Sequence, residues 1–362
     1  MRMEDKETLP GEASSLSEFA SKGDGARQLS LAAIGFVLLA LAWQWRDAPA
    51  NWWAAQTGRR PLLAAKSWYY NLAQIDVDKI AKSDADVLVI DYAKDGGKTP
   101  LTPGDVARLK TKADGSQRIV ISYMSIGEAE EFRFYWKPEW TVTAAPKPSW
   151  EIAPNCAWPG AHAVRYWQDD WKAITIGDGD SYLNRIIAAG FDGVYLDRVD
   201  MFSYDLVKSK NPNARADMIA FVTELATRAR AKRPGFLVIP QNGEDLLSDR
   251  DYRQVIDANS KEDLLYGVAG TGTRNAKDEI QHSVAQLGRL SWDWKPVFVV
   301  EYPATRDQVA PIAGELSRLG MVPTFAHRNL DGDDPFIERT RPEAKVGTPE
   351  YYATKCDRTN SW

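Results

Sequence analysis

Eight short apolar runs, each followed by a longer amphipathic or polar stretch, constrain this chain more than any other feature of its sequence. They are SWYYNLA (67–73), VLVID (87–91), RIVISYMS (118–125), GVYLD (193–197), FLVIPQNG (236–243), VIDANSKED (255–263), VFVVEYP (297–303) and MVPTFAH (321–327). Runs of this length, rich in Val, Ile, Tyr and Phe, are the signature of buried strands. Between them lie helix-like stretches such as ADMIAFVTELATRARAK (216–232) and QVAPIAGELSRLG (308–320). Strand and helix in strict alternation give a parallel sheet with crossover helices, and eight such units predict a (β/α)8 TIM barrel. A doubly wound open sheet is the other solution, but no G-x-G-x-x-G or G-x-x-x-x-G-K-[ST] follows any run.

The barrel is predicted over 65–335, with a linker at 46–64 and a C-terminal tail at 336–362. Residues 1–28 mix acids and bases with Gly and Ser. Leu29 to Trp43 then runs without a charge, and the segment 29–45 is shorter than the roughly 20 apolar residues that span a bilayer. That length suits a signal-peptide core, and Ala40-Leu41-Ala42 supplies a cleavage pattern. An uncleaved membrane anchor is the rival reading, and a core helix of the soluble fold a third. Export of the barrel, as a secreted, periplasmic or membrane-anchored protein, is the expectation.

Composition removes several function classes. A net charge of −5 with no long basic run leaves no counterion-releasing surface, so no nucleic-acid partner is expected. Three histidines form no H-E-x-x-H or similar cluster, and the two cysteines have no metal-ligand spacing, so neither a metal nor any other cofactor is expected. Cys156 and Cys356 would pair if the chain is exported; two unrelated thiols are the alternative. Oligomeric state is not encoded legibly. Fourteen Trp and fourteen Tyr are many. Flat rings suit pyranose stacking and suit a core equally well. Seven of them (Tyr135, Trp136, Trp140, Trp150, Trp158, Tyr166 and Trp167) fall in what reads as a long loop between the third and fourth runs.

The runs end on acids. Barrel active sites are built at the carboxyl ends of the strands, and these ends carry Asp91, Ser125 with Glu128 beyond it, Asp197, Asn242 with Glu244, Glu262, and Glu301. Clustered carboxylates raise one another's proton affinity, so one stays protonated while its neighbour is ionised, which is the division of labour that glycoside hydrolysis uses. Asp91 and Asp200 serve equally as caps or loop-backbone acceptors. Glu130 and Glu131 read as a solvated face, and Gly127 as a point of close backbone packing. Asp197 and Glu262 each close an apolar run, where an unused carboxylate is costly.

In this order and at these positions, SWYYNLA, VISYMSIGEAE, GFDGVYLDRVD, ANSKEDLLYG and VFVVEYP resemble glycoside hydrolase family 114, the endo-α-1,4-polygalactosaminidase-like proteins and their bacterial relatives, over roughly residues 65 to 330. The resemblance implies a (β/α)8 barrel with Asp197 as nucleophile and Glu262 as acid/base. It also implies a sugar cleft holding Asp91, Tyr123, Glu128, Asn242 and Glu301. With Tyr70, Asp200, Glu244 and Tyr302 these form the candidate substrate-binding set, and Glu244 is a second candidate for the acid role. The expected reaction is retaining cleavage of an α-1,4-linked galactosamine-containing polymer without a cofactor. A non-catalytic carbohydrate-binding barrel at the cell surface and a barrel enzyme acting on a non-sugar substrate are the alternatives.

Overall fold

The computed structural model describes residues 61–141 and 146–332. The segments 1–28 and 29–45, most of the linker, the tail 336–362 and Cys356 lie outside the described residues, and with them the signal, anchor and Cys156–Cys356 expectations. Among the described residues no helix is long and apolar enough to cross a membrane.

All eight predicted runs are strands. The chain runs β1 (Trp68–Asn71), α1 (Val77–Ala81), β2 (Val87–Ile90), α2 (Pro103–Leu109), β3 (Ile119–Ser125), β4 (Glu128–Glu130), β5 (Glu151–Pro154) and β6 (Ala161–Val164). It continues with α3 (Asp169–Ile176), α4 (Tyr182–Ala189), β7 (Gly193–Asp197), α5 (Asp205–Lys208), α6 (Ala214–Lys232), β8 (Leu237–Pro240), α7 (Arg250–Val255) and β9 (Asn259–Glu262). A hairpin of β10 (Tyr266–Gly267) and β11 (Gly270–Arg274) precedes α8 (Lys277–Leu287), β12 (Val297–Glu301), α9 (Val309–Arg318) and β13 (Val322–Phe325).

Local chemistry places these boundaries. Thr102 and Asp105 form a reciprocal capping box at the start of α2, with Pro103 as its first residue. Helix α4 stops at Gly190, whose φ of 93° is open to glycine and turns the chain into β7.

The parallel strands form two arcs, β1-β2-β3-β7-β8 and β9-β12-β13. One seam is closed by a parallel bridge between Gln241 and Ser260 and by Asn242 N donating to Ser260 O at 2.8 Å. At the other, Trp68 Nε1 donates to Val322 O at 3.0 Å and Thr324 Oγ1 to Trp68 O at 2.8 Å. The ring is therefore an eight-stranded α/β barrel.

The period of two along each strand divides the apolar residues into two cores. Trp68, Tyr70, Val87, Val89, Ile119, Ile121, Tyr123, Tyr195, Leu237, Ile239, Phe298, Val300 and Tyr302 fill the lumen. Leu88, Ile90, Val120, Val194, Leu196, Val238 and Val299 face outward under the helices. Gly193 is required by the lumen, since a Cβ there would lie 2.4 Å from Leu237 O.

The expected aromatic-rich loop is instead a structured layer. Strands β4, β6 and β5 form a small antiparallel sheet. Trp136, Trp150 and Tyr166 are buried in the outer core, with Tyr135, Trp140 and Trp167 packed against it. Trp136, Trp140 and Trp150 meet edge to face at 5.2 and 5.3 Å. Of the seven aromatics only Trp158 is exposed. The other six rings are framework, packed in or against the outer core. Glu130 and Glu131 correct the sequence reading in the same way: Glu130 is buried beside Arg133, and Glu131 takes a 2.8 Å bond from His162.

Candidate active site

Strand alternation decides which side chains reach the mouth of the lumen. Gly193, Tyr195 and Asp197 point inward along β7, as do Leu237 and Ile239 of β8 with Gln241 just past it, Ser260 and Glu262 of β9 with Ala258 just before it, and Phe298 and Val300 of β12 with Tyr302 just past it. Two positive-φ turns follow immediately on Asp197 and Glu262, at Arg198 (61°) and Asp263 (52°), and a third at Asn242 (56°) follows Gln241. Non-glycine residues in this region carry strain that persists where the surroundings over-determine it.

Asp197 and Glu262 are each held by a phenol. Tyr123 donates to Asp197 Oδ2 at 2.7 Å, and Asp197 Oδ1 accepts from Arg198 N at 2.7 Å. Tyr302 donates to Glu262 Oε1, while Gln241 Nε2 donates to Glu262 Oε2 at 2.8 Å. Asn242 acts through the backbone, its Oδ1 accepting from Glu262 N at 3.1 Å. Tyr70 stands at 3.4 Å from Gln241 Oε1, and Tyr195 donates to Ser260 at 2.8 Å. The charges of both Asp197 and Glu262 reach the Tyr70 and Tyr195 hydroxyls, which places these phenols within the field of both acids.

Burial dominates the acid–base character. Desolvation pushes Asp197 up to about 6, opposed by Arg198 and Tyr123 and assisted by Asp200 and Glu128. Desolvation pushes Glu262 higher, to about 7, opposed by Tyr302 and assisted by Asp263 and Asp197. Both carboxyls thus keep their protons to higher pH than exposed acids do, and Asp197 is among the groups that raise Glu262.

The remaining sequence candidates separate. Asp91 is fully buried and paired with Arg133 Nη1 at 2.7 Å while accepting from Ala93 N at 2.9 Å, so its loop-acceptor reading applies. Glu128 is held by Asn155 Nδ2 at 2.9 Å and by Arg198 Nη2 at 3.2 Å. Asp200 Oδ2 accepts from Tyr204 at 3.3 Å, and its other oxygen is buried. Glu301 is turned out of the lumen because Tyr302 points in; it clamps the β9–β10 loop through Leu265 N at 2.7 Å and Tyr266 N at 3.2 Å. Glu244 pairs with Lys261 Nζ at 3.1 Å and accepts from Ser283 at 2.5 Å. Burial works the other way, but these partners hold Glu244 below the ordinary glutamate range, which is unsuited to an acid. Gln241, Tyr195 and Arg133 were missed by the sequence reading. Extending the period of two by one residue past β8 would have placed Gln241 beside Glu262; Arg133 carries no such signal.

A cavity of about 530 Å3 opens at the opposite end of the barrel, lined by Asp86, Lys110, Arg118, Asp192 and Arg233. Its charges satisfy one another, Lys110 and Arg233 on Asp192 and Lys112 on Asp86.

These buried acids have a consequence for stability. Glu301 is raised to about 7 by desolvation, as Glu262 is, and His162 is also raised, by Glu131 and Glu151 against the effect of burial. Groups with raised folded values bind more protons folded than unfolded, so the stability they confer at low pH is lost as pH rises through about 7. Thermal melts should show Tm falling by about 5 °C or more between pH 5 and pH 8. A flat or rising Tm over that window would show that these acids are ionised at little cost.

The family model of glycoside-hydrolase family GH114 matches residues 44–341. An uncharacterized protein of Deinococcus radiodurans is 35% identical over 280 residues, covering 75% of this chain and 84% of its own. An uncharacterized protein of Methanocaldococcus jannaschii is 36% identical over 284 residues, covering 76% of each. Among solved structures, the glycoside hydrolase domain of PelA from Pseudomonas aeruginosa superposes with a TM-score of 0.57 at 20% identity, over 74% of this chain and 96% of that one. Aspergillus fumigatus Ega3 in complex with galactosamine gives 0.55 at 20% identity, over 76% and 95%. At that identity the likeness shows a shared fold.

Proposed function

The chain belongs to glycoside hydrolase family GH114, and from that premise we propose that it cleaves an α-1,4-linked galactosamine-containing polysaccharide by a retaining mechanism, with Asp197 as nucleophile and Glu262 as acid/base. The observation that carries the assignment is geometric: Asp197 closes β7, held by Tyr123 and Arg198 N and favoured as carboxylate by the Arg198 cation, whereas Glu262 closes β9, held by Tyr302 and Gln241, with Asp263 and Asp197 raising its proton affinity. Glu262 donates its proton to the glycosidic oxygen as the bond from that oxygen to the anomeric carbon breaks, and Asp197 forms the new bond to that carbon. Water then attacks the anomeric carbon, giving its proton back to Glu262 and releasing Asp197 as carboxylate. Tyr123 and Tyr302 hold the two carboxyls in place through both steps. Gln241 and Tyr70 line the floor on which the sugar would rest.

The two acids at the mouth, Asp197 and Glu262, support a cationic amino sugar by charge attraction. The galactosamine bound to Ega3, a protein of the same fold, supports the same class. Export is part of this reading and rests on the apolar stretch Leu29 to Trp43.

The test is reducing-end release from partly deacetylated galactosamine, glucosamine and neutral polysaccharides, followed across pH. The expected kcat/KM profile on the galactosamine polymer is a narrow bell, falling tenfold per pH unit below about 6 and above about 7. Cleavage restricted to a neutral glycan would remove the amino-sugar substrate. Binding without cleavage of any polymer would remove the hydrolytic reading of the two acids.

A further inference from the structure

Tyr123 has one hydroxyl proton and two carboxylates to give it to. Its oxygen lies 2.7 Å from Asp197 Oδ2 and 3.4 Å from Glu130 Oε1. The other oxygen of Glu130 is taken by Arg133 Nε at 2.6 Å. Arg133 is fully buried, and its Nη1 also holds Asp91 at 2.7 Å and Gly96 O at 2.7 Å. The rings of Phe132, Tyr182, Tyr123 and Tyr92 lie 4.7 to 5.8 Å from its central carbon, so the cation is enclosed by π faces.

We infer that Arg133, 64 positions away from Asp197 in the sequence, is a positioning residue for it: by neutralising Glu130 it commits the Tyr123 hydroxyl to Asp197, which then works as a carboxylate. This rests on the reading of Asp197 as nucleophile. A carboxylate already matched by a guanidinium competes weakly for a neutral donor, and the hydrogen bond goes to the acid whose charge is less well met. The asymmetry of 2.7 against 3.4 Å is that preference in the structure.

Without Arg133, Glu130 and Asp91 would both be buried without their cation. Glu130 Oε2, left without Arg133, would turn to other donors, and Glu130 would compete with Asp197 for the Tyr123 hydroxyl, weakening the bond that favours the Asp197 carboxylate. The other groups facing Asp197 are Arg198 and Asp200 from the turn after β7, Glu128 from β4, Tyr70 from β1, Tyr195 from β7 and Glu262 from β9. Of these only Arg198 carries positive charge. Arg133 supplies a second cation indirectly, without touching Asp197.

The test is a titration of the Asp197 carboxyl in the full chain, by carbon-13 NMR with aspartate labelled at the carboxyl, the resonance being assigned by its loss in Asp197→Asn. Tyr123→Phe is expected to raise the midpoint by about one pH unit, the value of a hydrogen bond to a charged group. Glu130→Gln is expected to lower it, because the charge is lost while the amide still presents an oxygen to Arg133 and a donor to Tyr123. Arg133→Gln is expected to raise it by about one unit in the parent, and by much less in the Glu130→Gln background, where the intermediary is gone.

A midpoint unmoved in Tyr123→Phe and Glu130→Gln, whatever their melting temperatures, overturns the proposal and leaves Arg133 a framework residue. Equal Arg133→Gln shifts in both backgrounds overturn transmission through Glu130. If Arg133→Gln does not fold, the opposite shifts in the other two variants still decide. Should the midpoints move as expected while Asp197→Asn keeps its turnover, the relay stands and the nucleophile reading fails.

Discussion

Asp197→Asn is expected to lose more than about a thousandfold in kcat on the polymer, with KM changed by no more than a few-fold, because the lost interaction is made as the anomeric bond forms. Glu262→Gln should lose a comparable factor on a sugar leaving group, which needs its proton. The two are told apart by a small external nucleophile. Sodium azide should revive Asp197→Ala and give a glycosyl azide of inverted configuration, since azide attacks where the aspartate did. On an activated aryl glycoside, whose leaving group departs without a proton, it should revive Glu262→Ala with retained configuration, since azide then replaces water on the covalent intermediate. Parent cleavage with inversion, read directly by proton NMR of the fresh product, would remove the nucleophile and assign Asp197 to activating water.

Gly127→Ala carries the second large effect, although the residue touches no substrate. A Cβ at 127 would lie 2.1 Å from Arg198 O, 2.7 Å from Met201 Cγ and 3.0 Å from Arg198 Cβ. The backbone cannot retreat easily: Ile126 N is bonded to Asp197 O at 3.1 Å and Val164 N to Gly127 O at 3.2 Å. Overpacking against backbone on this scale should cost about 3 kcal/mol in denaturant unfolding. The turn that must yield starts at Arg198, next to Asp197, so kcat should fall by about a hundredfold even in the folded fraction. A variant with parent stability and parent kcat would show that this turn is soft and does not aim Asp197.

The barrel was legible because it is written in spacing. Eight apolar runs of strand length, separated by helix-length stretches, leave little else to build, and all eight became strands. Asp197 and Glu262 were legible as candidates for a related reason, a carboxylate closing an apolar run. Which acids share the mouth was less legible. Glu301 also closes a run, yet Tyr302 takes the inward place and Glu301 clamps a loop. Counting by two from Val300 would have shown this. The excursion between β3 and β7 was illegible for a deeper reason. Its aromatic residues pack on the outside of the barrel, and its ion pairs join Arg133 to Asp91 across 42 positions. Neither period nor local motif encodes a partner at that range. Glu130 and Glu131 show the cost: adjacent acids read as solvated from sequence, and only the arrival of Arg133 and His162 makes them interior groups.

The two seams of the ring give the pair of acids an unexpected address. Asp197 belongs to the five-stranded arc and Glu262 to the three-stranded one, and the wall between β8 and β9 is bridged at Gln241 and Ser260. The gap between Asp197 and Glu262 is thus measured across a joint, as the opening of a pair of callipers is set at its pivot. Gln241 sits on that pivot and also holds Glu262. Any motion that opens the joint by a fraction of an ångström would be read first in the distance between the two carboxyls, the one dimension on which retention or inversion turns.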